Sequence, residues 1–384
     1  MNEINKIRRC YNCGAILQST DKEKEGYVDE EILNNSSQNF LFCNSCFEKE
    51  KYQPRLNEPK LDKDYLTLLN DAKEKDALIV YVINIFSFEA SFIHQINEII
   101  DGMNILVIAN KFDLMPASLN KDDAKAYVAH RFHAVGLKQI NPDDVILANA
   151  FDDETAKEIV QTIYERKNGK DVFILGSSLS GKTTLLHSIL RVYQNMVQEN
   201  IVTEPYINTS LEVTKIPLTK KTAVYSTPGT SIDNSILYNL DKKTFNDIYV
   251  FKPLKGKNIS LGNKQAFFIG GFAIIEVISS FDKKTDFTCY FHEDIPLKKV
   301  SKGNKNFDDM FIYYVNQKKI KPALSTLTSI KMLDTYEIEI PENKYRDIGI
   351  LGLGWLTIHA NNTKLRIYVP KNVSIYTSRP KVLS

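Results

Sequence analysis

Residues 176–183 read Gly-Ser-Ser-Leu-Ser-Gly-Lys-Thr, which fulfils the P-loop pattern of nucleotide-binding proteins. Gly176 and Gly181 allow the backbone to turn its N–H groups toward phosphate oxygens at the start of a helix. The Lys182 ammonium can reach the β- and γ-phosphates, and the Thr183 hydroxyl can ligate Mg²⁺. The pattern predicts nucleotide binding and leaves ATP and GTP open. The remaining candidate phosphate-binding residues of this loop are Ser178, Ser180 and Thr184.

A second motif, Asn110-Lys111-Phe112-Asp113, precedes the P-loop and favours guanine as the base. The Asp113 carboxylate can accept two hydrogen bonds from the guanine edge, and adenine offers no equivalent pair of donors. A polar loop after a strand is the alternative interpretation of this motif taken alone. Because a P-loop follows on the same chain, we predict that Asn110, Lys111 and Asp113 bind the base of GTP or GDP.

The switch segment, residues 226–229, reads Ser-Thr-Pro-Gly and stands where GTPases carry Asp-x-x-Gly. The aspartate of that pattern holds Mg²⁺ through a water, so Ser226 removes a charge from the expected metal site. Gly229 can still present its backbone N–H to a γ-phosphate. Thr209 and Ser210 are candidate Mg²⁺ ligands between the P-loop and the switch segment, and an ordinary polar loop is the alternative for them.

Four cysteines near the N-terminus are arranged as two Cys-x-x-Cys pairs, Cys10 with Cys13 and Cys43 with Cys46. Four thiolates suffice for one tetrahedral Zn²⁺ site, and we predict a structural zinc. Two disulfides or a redox dithiol are the alternatives, and neither fits well with a sequence that shows no secretory pattern. The fifth cysteine, Cys289, lies in a strand-like run and is expected to pack in the core.

The elements that must position these groups alternate along the chain. Apolar runs end just before each motif, and amphipathic helices lie between them, which predicts a doubly wound, mainly parallel α/β sheet. Beyond residue 240, short strands dominate and predict a β-rich α+β domain. Because the guanine motif precedes the P-loop, we predict a circularly permuted GTPase domain over 56–235. It lies between a zinc-binding module over 1–55 and a basic C-terminal RNA- or ribosome-binding domain over 236–384.

Charge is distributed unevenly between the two parts of the chain, although its net charge is only +2. Residues 236–384 carry 23 Lys+Arg against 14 Asp+Glu, a net +9, while residues 1–235 carry 26 against 33, a net −7. A basic domain attracts polyanions, and RNA is the natural candidate; a lysine-rich solvated surface is the alternative. The candidate RNA contacts are Lys252, Lys255, Lys257, Lys298, Lys299, Lys302, Lys305, Lys318, Lys319 and Lys321.

Taken in order, these motifs resemble the YqeH family of circularly permuted GTPases that act in ribosome assembly. The stretches that carry the resemblance are Cys10-x-x-Cys13, Cys43-x-x-Cys46, Asn84-Ile85-Phe86-Ser87-Phe88 with Ser91, 110–116, the P-loop, 206–211, the switch segment and Gly352-Leu353-Gly354-Trp355. The resemblance implies GTP or GDP with Mg²⁺ and Zn²⁺ as cofactors, and the small ribosomal subunit and its rRNA as partners. It also places Ala148 beside the guanine base.

The chain departs from the family pattern at several positions. The family has Asp at 84 and 226, Ser-Ala at 148–149, and at 179 an Asn that helps to hold a potassium ion; here these positions are Asn84, Ser226, Ala148-Asn149 and Leu179. The resemblance then implies a slow hydrolase that is either potassium-independent or defective.

We predict a GTPase that switches during assembly of the small ribosomal subunit, with Lys182, Thr183 and Gly229 as its catalytic residues. The alternative is a nucleotide-gated RNA- or ribosome-binding module with little turnover, because Ser226 replaces the aspartate. With 43% hydrophobic and 25% charged residues and no apolar stretch long enough to span a bilayer, we expect a cytoplasmic monomer without membrane contact.

Overall fold

The computed structural model describes residues 15, 17–35, 43–45, 63–92, 94–197, 204–205, 213–219, 221–227, 229, 234–301, 307–317, 319–320, 333–341 and 344–382. The chain divides into two compact units, Met1–Met115 with Asn120–Ile232, and Pro116–Leu119 with Asp233–Ser384. In the described ranges, no helix is both long and apolar enough to cross a bilayer.

The first unit is built around a mixed sheet, which has seven strands within the described residues. Their order across the sheet is β3-β2-β1-β4-β7-β6-β5; β1 to β4 and β7 run parallel, and β6 is antiparallel to both of its neighbours. The strands are β1 Leu78–Asn84, β2 Ile105–Asn110, β3 Val145–Ala148, β4 Val172–Gly176, β5 Glu204–Pro205, β6 Thr214–Pro217 and β7 Ala223–Ser226. The central strands β1, β2 and β4 are almost wholly buried, as expected for parallel strands covered on both faces.

Helices connect these strands in the alternation that the sequence predicts. They are α2 Lys63–Glu74, α3 His94–Ile100, α4 Lys121–Ala134, α5 Asp153–Arg166 and α6 Lys182–Val197, preceded by a short α1 Glu30–Asn35. Side chains start two of them: the Asn120 carboxamide accepts from backbone N–H groups of α4, and the Asp152 carboxylate accepts from the Thr155 N–H of α5. Short 3₁₀ turns occupy Phe88–Ser91, Phe112–Leu114 and Pro142–Asp144.

The second unit is β-rich and contains, among its described residues, two five-stranded sheets ordered β12-β9-β10-β16-β13 and β17-β14-β15-β11-β8. All of their pairings are antiparallel. The elements are a 3₁₀ turn Ile236–Asn239, α7 Lys242–Ile248, β8 Lys257–Leu261, β9 Gln265–Ile269, β10 Ala273–Ser279, β11 Thr285–Phe291, β12 Leu297–Ser301, α8 Phe307–Asn316, β13 Leu333–Ile340, β14 Lys344–Ile350, β15 Gly354–Ala360, β16 Thr363–Pro370 and β17 Ile375–Ser378.

A buried ion pair lies in the second of these sheets. Lys381 Nζ is 3.6 Å from the Asp347 carboxylate, and both side chains are almost fully buried. Burial raises the pKa of Asp347, and the Lys381 charge and the hydrogen bond from the Thr357 hydroxyl oppose that increase. The Lys381 ammonium also lies 4.9 Å from the ring centroid of Trp355, the only tryptophan of the chain. This tryptophan is fully buried and stacks on Tyr290, so its role is structural.

The prediction of a mixed α/β fold with a parallel sheet and a β-rich C-terminal region is confirmed. The boundary between the two compact units follows Ile232, whereas the three-module division at 55 and 235 remains a prediction. Cys289 is buried on β11 as expected, and desolvation raises the pKa of its thiol to about 12. The sequence pattern missed the short strands β6, β8, β12, β14 and β17, whose residues do not alternate cleanly between apolar and polar.

Candidate functional site

The predicted nucleotide-binding residues meet at one edge of the parallel sheet. Asn84 pairs with Asn110 across β1 and β2, and Asn110 pairs with Ala148 across β2 and β3. On the other side of β1, Val82 pairs with Gly176, the last residue of β4. Because these strands are parallel, their carboxyl ends lie together, and ligands of such sheets bind at that edge.

The P-loop glycines occur where the structure has no room for a side chain. A Cβ atom at Gly176 would lie 2.6 Å from the Val82 carbonyl oxygen. Gly181 has a φ of +84°, and a Cβ there would lie 2.3 Å from Asn110 Nδ2. A left-handed backbone disfavours side chains, so both the conformation and the space at this position require glycine. Leu179 adopts a φ of 63°, an uncommon conformation for a branched residue.

Two hydrogen bonds connect the guanine motif to the P-loop. Asn110 Nδ2 donates to the Ser180 carbonyl oxygen at 2.9 Å, and Lys111 Nζ donates to the Leu179 carbonyl oxygen at 2.6 Å. Lys111 has a left-handed backbone with φ 65°, which directs the chain from β2 into the turn that carries Asp113. The sequence places these motifs far apart, and the fold brings them into direct contact.

The Lys182 ammonium is held in a site that favours an anionic partner. The side chain is buried, and desolvation alone lowers its pKa to about 7. Within the described part of the chain, no carboxylate forms an ion pair with it. A buried cation is costly unless an anion compensates it, and a phosphate group beside the loop would do so.

Asp113 has surroundings suited to accepting hydrogen bonds. Its side chain reaches solvent, yet nearby groups desolvate the carboxyl enough to raise its pKa from the ordinary value. A backbone N–H and the charge of Lys111 act in the opposite direction. Burial correspondingly lowers the pKa of Lys111 to about 7, and the Asp113 charge partly opposes this change.

Polar atoms of the site lack partners within the described residues. Asn110 Oδ1 and Ser180 Oγ are both buried without a hydrogen bond there, although buried polar groups are almost always paired. Together with the glycine positions that a Cβ would fill and the buried Lys182, they fit a guanine nucleotide held at this edge. Thr183, the candidate Mg²⁺ ligand, is half-buried at the start of α6, and Thr184 beside it is buried.

The switch segment begins at the end of β7, beside the P-loop strand. Ser226 pairs with Ile174 of β4 and is buried, so the position of the expected aspartate lies at the site but carries no charge. A Cβ at Gly229 would lie 3.1 Å from Ser178 Oγ and 3.2 Å from its backbone nitrogen. Gly229 therefore lies directly against the P-loop.

Sequence reasoning missed Tyr65, whose hydroxyl contacts the switch segment at Thr227. The residue is the buried aromatic of the first turn of α2, and its pattern indicates only the apolar face of a helix. Sequence alone offers no signal for this contact, because it depends on how α2 packs against strands that are remote in the chain.

The loop after β3 is connected to the P-loop helix. Ala148 is fully buried at the end of β3, and the Asn149 carboxamide accepts from the Phe151 N–H at 3.0 Å. Ser188 of α6 donates from its hydroxyl to the Ala150 carbonyl oxygen at 2.6 Å. The loop that the family resemblance assigns to the base is thus held by the same helix that begins with Lys182.

Part of the predicted metal chemistry lies outside the described residues. Thr209, Ser210, Cys10, Cys13 and Cys46 belong to that part of the chain, so these predictions are not tested. Cys43 is described: it is buried in a small apolar cluster with Leu17 and Val28. The described residues contain no group of three or more His, Cys, Asp or Glu side chains that could hold a metal. Zinc binding therefore remains a prediction.

Comparisons with known proteins identify a family profile and several similar chains. The profile of the family "YqeH-like, C-terminal" matches residues 284–380. The uncharacterized protein YqeH of Bacillus subtilis is 27% identical over 96% of this chain and 98% of its own length. The Arabidopsis thaliana NO-associated protein 1, chloroplastic/mitochondrial, is 21% identical over 91% of this chain and 69% of its own length. A putative nitric oxide synthase of Oryza sativa is 22% identical over 97% of this chain and 77% of its own length.

The parallel sheet, its P-loop and these relatives define a GTPase-like protein. The profile match in the C-terminal part and the similarity to Bacillus subtilis YqeH over nearly the whole chain support membership of the YqeH family.

Proposed function

We propose that this protein binds GTP and hydrolyses it to GDP and phosphate with the help of Mg²⁺, as a switch in assembly of the small ribosomal subunit. The observation that carries the proposal is the buried Lys182 at the P-loop, whose pKa is lowered to about 7 by desolvation alone. A chain that only needed a tight turn here would gain nothing from burying a cation without a counter-charge.

Guanine selectivity is supported by the contacts of the second motif. The Asn110 and Lys111 side chains are occupied with P-loop carbonyl groups, which leaves the Asp113 carboxyl open to solvent at the edge of the site. A carboxylate there accepts from the N1–H and the exocyclic amine of guanine. We therefore assign Asp113 to base selection, and Asn110 and Lys111 to holding the guanine loop against the P-loop.

In the hydrolytic step, water attacks the γ-phosphorus, the bond from that phosphorus to the oxygen of GDP breaks, and the water protons pass to phosphate and solvent. Charge develops on the phosphoryl oxygens and on the leaving oxygen. Lys182 supplies a positive charge to the phosphates, Thr183 supplies a hydroxyl for Mg²⁺, and Gly229 supplies a backbone N–H. Since Thr230 and Ser231 follow Gly229, no glutamine stands next to it to orient the water, and we expect slow turnover.

We further propose that the domain is circularly permuted relative to GTPases whose P-loop comes first. Strands β1 to β3 precede the P-loop in the chain and lie on one side of β4, while β7 and β6 follow it and lie on the other. Moving the chain ends between surface loops leaves such a sheet unchanged. The switch segment is then followed along the chain by the second unit. A change of the switch segment between the GTP and GDP states could therefore be transmitted to the second unit through the backbone.

The second unit supports the ribosomal part of the proposal. Its +9 net charge over residues 236–384 favours RNA as a partner. Several of the predicted lysines lie beside aromatic rings: Lys252 Nζ is 5.4 Å from the Phe251 ring centroid, and Lys298 Nζ is 5.6 Å from that of Tyr314. Aromatic rings between basic groups are common on single-stranded RNA surfaces. Lys302, Lys305, Lys318 and Lys321 lie outside the described residues.

The deciding experiment is single-turnover GTP hydrolysis with Mg²⁺, with and without small ribosomal subunits, using Lys182→Ala as the blank. Hydrolysis above that blank, accelerated by the subunits, is the expected result. Guanine-nucleotide binding that is no weaker in the blank than in the wild type would refute the site itself. Binding without any turnover would favour the second candidate function.

That second candidate is a nucleotide-gated binding protein with little turnover. The observation that favours it is Ser226, a buried uncharged residue where an aspartate would help to hold Mg²⁺. Ser226→Asp separates the two functions. If the native site already works, the substitution changes the turnover rate little; a large gain would show that the native protein is nearly inert.

A further inference from the structure

A buried tyrosine of α2 contacts the beginning of the switch segment. The Tyr65 hydroxyl lies 3.1 Å from Thr227 Oγ1, across 162 residues of chain, and each side chain is only 2% exposed. The contact lies one residue after Ser226 and two residues before Gly229. It is therefore placed within the segment that the proposed function assigns to nucleotide sensing.

The surrounding hydrogen bonds fix the direction of this contact. Thr227 Oγ1 lies 3.2 Å from the Ile174 carbonyl oxygen, which can only accept. The single hydroxyl proton of Thr227 is thus given to Ile174, and Tyr65 must be the donor to Thr227. Burial raises the pKa of Tyr65 to about 12, so the tyrosine keeps the proton it donates at neutral pH.

Thr227 is consequently held at three points. Its backbone N–H and its hydroxyl both donate to the Ile174 carbonyl oxygen of β4, and its hydroxyl accepts from Tyr65. Ile174 precedes Gly176 by two residues on the strand that leads into the P-loop. This arrangement fixes the switch segment to the P-loop strand just before Gly229, which lies against Ser178.

We infer that Tyr65 is a positioning residue: through its hydrogen bond to Thr227 it holds the switch segment so that the Gly229 N–H favours GTP over GDP. The inference rests on the proposed function, because it concerns the γ-phosphate of GTP. Among the described residues, the hydrogen bond of the Tyr65 hydroxyl is made to Thr227, so we expect Tyr65 to act through Thr227. Its loss changes discrimination between the two nucleotides and leaves the contacts to the shared phosphates intact.

Tyr65→Phe removes only the hydroxyl and keeps the ring in the core. Dissociation constants are measured for fluorescent GDP and for a fluorescent non-hydrolysable GTP analogue in the full chain. Since one hydrogen bond is lost, we expect the ratio of GTP to GDP affinity to fall about fivefold, chiefly through weaker GTP binding. Thr227→Val should have a similar effect, and the double variant should add little to either, because both substitutions break the same interaction.

Tyr81→Phe is the matched control. Tyr81 is also buried in the same unit; its hydroxyl donates to the Ser91 carbonyl oxygen at 3.2 Å, and its ring contacts Phe132 of α4. Tyr81→Phe should lower the free energy of unfolding by about as much as Tyr65→Phe does. It should leave the ratio of GTP to GDP affinity at the wild-type value. Equal weakening of GTP and GDP by Tyr65→Phe, or full additivity with Thr227→Val, would overturn the positioning role.

Hydrogen exchange in the nucleotide-free protein distinguishes failure of the inference from failure of the proposed function. Tyr65→Phe should speed exchange of the Thr227 amide, while Tyr81→Phe should leave it unchanged. If the amide is unaffected by Tyr65→Phe, the inference is wrong whatever the protein binds. If the amide responds but the wild type binds no guanine nucleotide, the proposed function is wrong and the sensing role falls with it.

Discussion

The Asn110 carboxamide donates a 2.9 Å hydrogen bond to the carbonyl oxygen of Ser180, which lies 70 residues later in the chain. The bond joins the last residue of β2 to the loop after β4, although β1 separates the two strands in the sheet. It also places the Asn110 side chain against Gly181. The guanine motif and the P-loop are thus structurally coupled, and a substitution in either motif should alter nucleotide binding by the other.

Gly181→Ala tests the coupling between the two motifs. The substitution places a Cβ 2.3 Å from Asn110 Nδ2 and forces a side chain into a left-handed backbone. We expect GDP affinity to fall at least about tenfold, in addition to a stability loss of about 1–2 kcal/mol from the backbone. Gly102→Ala is the control, because Gly102 has a similar φ of +79° with no atom within 4 Å of the new Cβ. Equal nucleotide affinities of the two variants would contradict the coupling.

Leu179 offers a test of the potassium prediction. Its carbonyl accepts from Lys111 Nζ, and its φ of 63° is unfavourable for leucine but tolerable for asparagine. We expect wild-type turnover to be nearly equal in K⁺ and Na⁺. Leu179→Asn should raise the free energy of unfolding by about 0.5–1 kcal/mol and introduce stimulation by K⁺. Leu179→Ala, which lacks the amide oxygen, is the control, and strong K⁺ stimulation of the wild type would refute the prediction.

The sequence predicted those features that depend on local pattern. The strand before Gly176, the helix after Lys182 and the loop at Asp113 follow from apolar periodicity and motif spacing, and the structure has these elements within a residue or two. The contact between Tyr65 and Thr227 was beyond prediction, since it depends on tertiary packing. The edge strands β8, β12 and β17 of the second unit were also missed, because short, partly exposed strands such as β8 carry little periodic signal.

Asp113→Asn should alter base selection. Loss of the carboxylate removes a charge-assisted acceptor of two guanine hydrogens, so GDP affinity should fall by about two orders of magnitude. Xanthosine diphosphate carries a carbonyl where guanine has its amine, and the asparagine amide can donate to it. We therefore expect the variant to prefer xanthosine diphosphate in direct titrations. Asp282→Asn, an exposed change in the second unit, should alter neither affinity, and unchanged GDP binding by the Asp113 variant would refute the assignment.

Zinc content can be measured on the purified full chain by elemental analysis. We expect one zinc per chain, because four thiolates in two Cys-x-x-Cys pairs complete one tetrahedral site. Cys43→Ser should remove it, and Cys289→Ala, a change to a buried cysteine of β11, should retain it. A metal-free protein whose thiol count rises after reduction would instead support disulfides.

Lys182→Met should stabilise the nucleotide-free protein while abolishing tight GDP binding. Burial lowers the pKa of Lys182 from 10.5 to about 7, so the folded state gives up a proton that the unfolded state keeps between those pH values. The free energy of unfolding of the wild type therefore rises as pH increases from about 7 toward 10.5. Below pH 7 Lys182 is protonated in both states, and the full destabilisation by its buried charge is present. Methionine removes that destabilisation, which at about 1.4 kcal/mol per pKa unit is on the order of 5 kcal/mol at pH 7. Thermal unfolding should show the advantage of the variant shrinking toward pH 10, while the exposed control Lys138→Met shows none; an advantage independent of pH would contradict a buried ammonium.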